Sequence, residues 1–189
     1  MARSSHARRC TARTSTTAAQ VEACEQRILL AATVVDPNLA VRPAAEGLHS
    51  PVAIAFLGHN DFLVIEKNSG QVKRVTAGEV QSTPVLDLPV NRALEQGLLG
   101  IEVHPEFAAN PYVYLYWTES TTGQDSGVLS ETPLMGNRVD RFVWDGAALT
   151  YDRTLIRLRA AQPPNPRHES VAFGGHVGGV IRFGPDGKL

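Results

Sequence analysis

Two residues of this chain combine reactive side-chain chemistry with an unusual local setting. His176 stands between glycine pairs in Gly174-Gly-His-Val-Gly-Gly179, and Glu95 comes just before a Gly-Leu-Leu-Gly run. Glycines leave the imidazole with little cover and let a ligand approach the backbone closely. An imidazole with an ordinary pKa of about 6.5 suits a general base that works near neutral pH.

Each of these residues also has an ordinary interpretation. His176 is alternatively a loop histidine that bonds a neighbouring carbonyl, and Glu95 is alternatively a solvated loop charge. A functional Glu95 would accept a hydrogen bond from a substrate hydroxyl or orient the base. The sequence contains no metal-ligand spacing, nucleophile elbow or phosphate-binding loop. The pair is therefore the one candidate site, and its role stays open at this stage.

A repeat of about 40 to 50 residues predicts the elements that position this pair. Val52-Ala-Ile-Ala-Phe56, Leu99-Gly-Ile-Glu-Val103 and Gly179-Val-Ile-Arg-Phe183 share one alternation of apolar residues, and a turn follows each of them. Repeats of this length that contain several short strands are typical of the blades of a β-propeller.

The first two repeats each contain four predicted strands, marked by apolar alternation and by turn residues between them. The predicted strands are 52–57, 62–67, 72–77 and 84–88 in the first blade, 98–103, 112–118, 137–144 and 154–159 in the second, and 179–183 at the start of the third. We therefore predict an all-β chain, a partial β-propeller of two blades and the first arm of a third. Because propellers close with roughly four to eight blades, we expect a truncated N-terminal part of a longer protein.

The propeller also predicts where the candidate pair lies. The innermost strands run the same way along the central channel, so the segments that lead into them emerge on one face. Residues 91–97 lead into the second blade and residues 174–178 into the third. We expect Glu95 and His176 to meet at the mouth of the channel, where a concave surface with convergent polar groups is a default ligand site.

Composition narrows the class of partner. The chain has 189 residues, a formal net charge of -1 and 43% hydrophobic residues, so nothing favours a nucleic-acid partner. Both cysteines, Cys10 and Cys24, lie near the N-terminus. The predicted propeller domain, residues 37–189, is therefore expected to have no disulfide and no cysteine metal site.

Residues 1–36 form a separate segment with a basic start and the apolar run 28–35. This pattern is typical of an export or surface-targeting signal, and the run is too short to span a membrane as a stable transmembrane segment. We expect the protein to be secreted, periplasmic or on the cell surface. A disordered tail with a chance apolar end is the alternative.

Four stretches, taken in order, resemble the soluble glucose/sorbosone dehydrogenase family, the quinoprotein aldose sugar dehydrogenases. They are Leu63-Val-Ile-Glu-Lys-Asn-Ser-Gly70, Glu95-Gln-Gly-Leu-Leu-Gly-Ile-Glu-Val-His-Pro-Glu-Phe107, Asn137-Arg-Val-Asp-Arg-Phe142 and His176-Val-Gly-Gly-Val-Ile-Arg-Phe-Gly-Pro-Asp-Gly-Lys-Leu189. The resemblance runs from about residue 47 to the end of the chain. It implies a six-bladed propeller that holds pyrroloquinoline quinone (PQQ) and calcium and passes electrons from a sugar to an external acceptor.

The resemblance also implies roles for the candidate pair. His176 falls on the family's catalytic histidine, the base that takes a proton from the sugar hydroxyl while hydride passes to the quinone. Glu95 falls on a substrate-binding polar position, which is Glu or Gln in relatives. Val177 replaces the asparagine that the family usually has after this histidine, so the site loses an amide.

The residues that clamp the quinone and bind calcium belong, by the same resemblance, to later blades. We therefore expect this chain alone to be inactive, and we assign no cofactor or metal ligand within it. A non-catalytic propeller used as a binding or surface-display module is the alternative function, and Val177 favours it.

Overall fold

The computed structural model describes residues 34–161 and 174–189. The chain divides into two units, Met1–Val41 and Arg42–Leu189. In the first unit, Asp36 accepts hydrogen bonds in a short turn from the main-chain N–H groups of Asn38 and Leu39. Most of the predicted export segment lies outside the described residues, so its boundary at residue 36 stays a prediction.

The first blade is an antiparallel sheet of three main strands and two short ones. β1 (Pro51–Gly58), β2 (Asp61–Glu66) and β3 (Gln71–Thr76) pair in that order. β4 (Glu79–Val80) and β5 (Leu86–Asp87) both pair with β3. The three main strands are rich in β-branched and other apolar residues, which suit a pleated sheet.

The predicted fourth strand of this blade, 84–88, is wrong in extent. Of that range only Leu86 and Asp87 form a strand, β5, and the other short strand, β4, lies before it. Gln81 still donates to the carbonyl of Arg74 at 2.9 Å and Val85 to that of Val72 at 2.8 Å. Pro84 has no N–H to donate, so a continuous ladder is impossible there.

The second blade is a regular four-stranded antiparallel sheet. Its strands are β6 (Leu98–Val103), β7 (Tyr112–Thr118), β8 (Asn137–Trp144) and β9 (Leu149–Leu158), paired in that order. The connection from β7 to β8 contains a single turn of 3-10 helix, Leu129–Glu131. Within the described residues there is no helix of sufficient length and apolar character to cross a membrane.

The last strand of the second blade begins at Leu149, whereas the sequence predicted residues 154–159. The side chain of Asp145 accepts hydrogen bonds from the N–H groups of Ala147 and Ala148 and closes a tight turn, so pairing resumes at once. Asp152 interrupts the apolar pattern that the prediction relied on. It remains in the strand because Arg141 of β8 lies 2.6 Å away and pairs with it.

The predicted first strand of the third blade, 179–183, is wrong as a strand. A strand is defined by its ladder, and no described residue pairs with this segment. The segment instead packs on the second blade, where the ring of Phe183 lies edge-on to His104 and Tyr114, with centroids 5.5 and 5.1 Å apart. The turn that follows does form, since Gly184 donates to the carbonyl of Lys188 at 2.7 Å.

The two sheets pack on each other as successive blades. β1 and β2 contact β6, and one buried apolar cluster takes residues from both sheets. Its members are Ala55, Leu63, Ile65, Val72, Val85, Leu88, Val90, Leu98, Ile101, Val113, Leu115, Trp117, Phe142 and Leu149. β1, β6 and residues 179–182 together line a cavity of about 270 Å³. The prediction of an all-β partial propeller is confirmed.

Alternation along β7 explains what lies on each side of the second blade. Val113, Leu115 and Trp117 point into the cluster shared with the first blade. Tyr114 and Tyr116 point to the opposite side, because successive side chains of a strand alternate between faces. This second face receives the segment that contains His176.

Candidate functional site

The segment 91–97 carries Glu95 and is held by buried amide side chains. Asn91 is fully buried, donates to the carbonyl of Val128 at 2.8 Å and accepts from the N–H of Ala93 at 2.9 Å. A buried side-chain amide needs partners for its donors and its acceptor, so these bonds fix the start of the segment.

Gln96 fixes the end of the same segment. It is fully buried, and its amide nitrogen donates to the carbonyl of Ala160 at 2.8 Å. Its amide oxygen accepts from the hydroxyl of Thr132 at 2.9 Å. Gln96 thereby joins three connections of the second blade and leaves its neighbour Glu95 exposed at the surface.

The structure brings the two predicted site residues into contact. The main-chain N–H of His176 donates to Oε2 of Glu95 at 2.6 Å. The imidazole of His176 is exposed, and the residue has a φ of 56°. A positive φ in a residue other than glycine is strained and persists where the surroundings impose it. The contact with Glu95 is one such constraint.

Tyr116 constrains the same loop from the other side. Its hydroxyl donates to the carbonyl of Val177, the residue after His176. Burial raises the pKa of Tyr116, so the hydroxyl keeps its proton and remains a donor. Sequence reasoning missed this residue, although its place in an aromatic strand two residues after Tyr114 was visible.

A close backbone approach completes the support of the loop. A Cβ placed on Gly100 would lie 1.9 Å from the carbonyl oxygen of Gly179, so only glycine fits at that position of β6. The sequence placed Gly100 inside a strand, where glycine often marks such an approach.

Lys67 is a further charged residue beside the pair, and sequence reasoning did not single it out. Its ammonium group donates to the carbonyl of Leu94 at 3.2 Å. Burial lowers the pKa of Lys67, and the charge of nearby Glu95 partly offsets that effect. The sequence signal was its place in the first of the four family-like stretches.

Metal ligands are not assigned to the site. Across residues 34–161 and 174–189, no group of three or more His, Cys, Asp or Glu side chains is arranged to hold a metal ion. On these residues the site consists of an exposed imidazole, a carboxylate and an ammonium group.

Comparison with known families defines the class of protein. A sequence model of the Glucose / Sorbosone dehydrogenase family matches residues 48–189. The chain belongs to this family.

Two individual relatives also match this chain. Quinoprotein glucose dehydrogenase B of Acinetobacter calcoaceticus is 27% identical over 146 residues, which are 75% of this chain and 28% of that protein. An uncharacterized protein of Synechocystis sp. is 26% identical over 162 residues, which are 81% of this chain and 34% of that protein. This chain thus spans about a third of the length of these relatives.

Solved structures give the same result. A putative oxidoreductase (glucose dehydrogenase) of Thermus thermophilus superposes with a TM-score of 0.58 at 31% identity, over 77% of this chain and 38% of that one. The PQQ-bound form of the aldose sugar dehydrogenase of Streptomyces coelicolor superposes with a TM-score of 0.50 at 30% identity, over 62% of this chain and 33% of that one.

Proposed function

We propose that the whole protein is a PQQ-dependent sugar dehydrogenase and that His176 is its general base. The carrying observation is the bond between Glu95 and the main-chain N–H of His176, which fixes the backbone that carries an exposed imidazole. Membership of the Glucose / Sorbosone dehydrogenase family supports the reaction class.

The chemistry proposed for this chain is removal of one proton. His176 accepts the proton of a sugar hydroxyl on an imidazole nitrogen as the C–H bond of the same carbon breaks, and the C–O bond becomes a carbonyl. When bound, the quinone supplies the acceptor for the hydride that leaves that carbon. Glu95 holds the loop and offers its carboxylate to a second sugar hydroxyl.

The described residues fit one edge of a quinone site. Among the residues that the structure describes, a Cβ on Gly178 would meet no atom within 4 Å, so their surface next to His176 is open to a flat ligand. Calcium and the other cofactor contacts are proposed to come from parts of the protein outside these residues.

Steady-state oxidation by the whole protein tests this proposal. We expect reduction of an artificial dye with an aldose such as glucose, dependent on added PQQ and calcium. Sugar binding by calorimetry without any dye reduction would overturn the dehydrogenase proposal and favour the binding-module alternative.

Val177→Asn is the companion test, because it restores the amide that the family usually has beside the histidine. The carbonyl of Val177 already bonds Tyr116, so the substitution changes the side chain and leaves that main-chain contact in place. We expect tighter PQQ binding in an absorbance titration. Unchanged affinity would show that the valine is a tolerated variant.

We also propose that the protein is exported to the periplasm or the cell surface, where sugars and external electron acceptors are available. The basic start and short apolar run of residues 1–36 support this. Cell fractionation of the host tests it, and recovery solely from the cytosol would contradict it.

A further inference from the structure

Lys67 contacts the Glu95 segment through both its main chain and its side chain. Its carbonyl accepts from the N–H of Leu98 at 3.0 Å, and its ammonium group donates to the carbonyl of Leu94 at 3.2 Å. Gly97 packs so closely that an added Cβ would lie 2.4 Å from the carbonyl oxygen of Lys67 and 2.8 Å from its Cγ. The first blade thus holds the lead-in segment of the second at this residue.

The contact with Leu94 falls on a strained residue. Leu94 has a φ of 55°, in the left-handed region that bulky side chains avoid. Its side chain is 63% exposed, so packing of that side chain does not impose the conformation. Such a conformation persists only where the surroundings over-determine it. The bond from Lys67 to the Leu94 carbonyl is a direct constraint of this kind.

The residue after Leu94 is Glu95, whose carboxylate accepts a hydrogen bond from the main-chain N–H of His176. Lys67, Leu94, Glu95 and His176 therefore form one chain of contacts that links the first blade to the loop after the second. The attraction between the Lys67 ammonium and the Glu95 carboxylate acts in the same direction as the hydrogen bond.

We propose that Lys67 is a positioning residue for His176, which it holds in place through the Leu94–Glu95 turn. The effect on catalysis rests on the proposed function, whereas the effect on the loop does not. Lys67 reaches His176 through Leu94 and Glu95, so its removal loosens the base without replacing it.

Hydrogen exchange measured by mass spectrometry on the whole protein without cofactor tests the structural part. Lys67→Met keeps the aliphatic stem that Gly97 packs against and removes the ammonium group. We expect exchange in peptides covering 93–98 and 174–178 to accelerate about tenfold, as for loss of one charge-assisted hydrogen bond. Lys67→Arg keeps charge and donors and should restore slow exchange.

Lys73→Met is the matched control, because Lys73 is also a largely covered lysine whose ammonium lies 3.5 Å from a carboxylate, that of Glu66. It should leave exchange at 93–98 and 174–178 unchanged. If Lys67→Met does not fold, Lys67→Gln provides the same comparison. Wild-type exchange in a folded Lys67 variant without the ammonium group would overturn the proposal.

Kinetics of the loaded enzyme separate this proposal from the proposed function. We expect Lys67→Met to lower kcat about 10- to 100-fold with little change in KM, the effect of a displaced catalytic group. Full activity of His176→Ala would contradict the proposed function and would not affect the conclusion drawn from hydrogen exchange. An inactive His176→Ala with unchanged exchange and kcat in Lys67→Met would remove only the role of Lys67.

Discussion

The main-chain N–H of His176 lies 2.6 Å from Oε2 of Glu95, a contact between residues 81 positions apart in the chain. It ties the segment that leads into the third blade to the segment that leads into the second. The exposed imidazole of His176 therefore sits on a loop whose backbone is fixed from the neighbouring blade. Contacts of this kind hold a base in position, and correct positioning allows the base to accelerate a reaction.

Glu95→Ala removes the acceptor of this hydrogen bond. We expect kcat for sugar oxidation by the whole protein to fall at least about tenfold, because the His176 loop loses its fixed position. Glu95→Gln keeps an acceptor oxygen and should retain most of the rate. Wild-type kcat in Glu95→Ala would show that the contact has no part in placing the base.

Tyr116→Phe removes the hydroxyl that donates to the carbonyl of Val177. We expect a loss of about 1 kcal/mol in the free energy of unfolding at neutral pH. Tyr151→Phe is the control, since Tyr151 is 53% exposed and its hydroxyl contacts only Thr154 among the described residues. Equal stability of the two variants would argue against a supporting role for Tyr116.

The same tyrosine predicts a pH dependence. The pKa of Tyr116 is raised above its ordinary value of about 10 in the folded protein. A raised folded-state pKa contributes stability that is complete below the unfolded value and is lost as pH rises through the folded value. Denaturation midpoints of the wild type should therefore fall towards those of Tyr116→Phe above about pH 10, and parallel curves would contradict this.

Gly100→Ala places a Cβ 1.9 Å from the carbonyl oxygen of Gly179, which forces the His176 loop away from β6. We expect a loss of about 1 to 3 kcal/mol in unfolding free energy, the usual cost of overpacking. Gly58→Ala is the matched control, since a Cβ there meets no atom of the described part of the chain within 4 Å. Thermal melting of both variants checks the prediction, and similar melting temperatures would contradict it.

The sequence predicted the fold well wherever alternation and turn residues agreed. β6 and β7 were predicted with their observed bounds, 98–103 and 112–118. The fourth strand of the first blade was predicted too long, and β4 was missed, because the pairing of both short strands depends on β3 rather than on local pattern. Residues 179–183 likewise form no ladder among the described residues, because a ladder needs a partner strand. The local sequence pattern does not show whether a partner is present.

The candidate site was predicted in part. Propeller geometry alone predicted that Glu95 and His176 lie on the same face of the blades and close together. The contact is made by the main-chain N–H of His176, a residue with a positive φ. Residue types do not reveal this backbone conformation. Lys67 and Gln96 act through buried or half-buried contacts with distant residues, and sequence spacing carries no signal for such contacts.

The most direct test of the account is dye-linked sugar oxidation by His176→Ala in the whole protein loaded with PQQ and calcium. His59→Ala is the control, since His59 is also exposed and lies in the turn between β1 and β2. Removing a positioned general base should lower kcat about 100- to 10,000-fold while the melting temperature stays near that of the wild type. Wild-type kcat in His176→Ala, or equal losses in both variants, would contradict the assignment of His176 as the base.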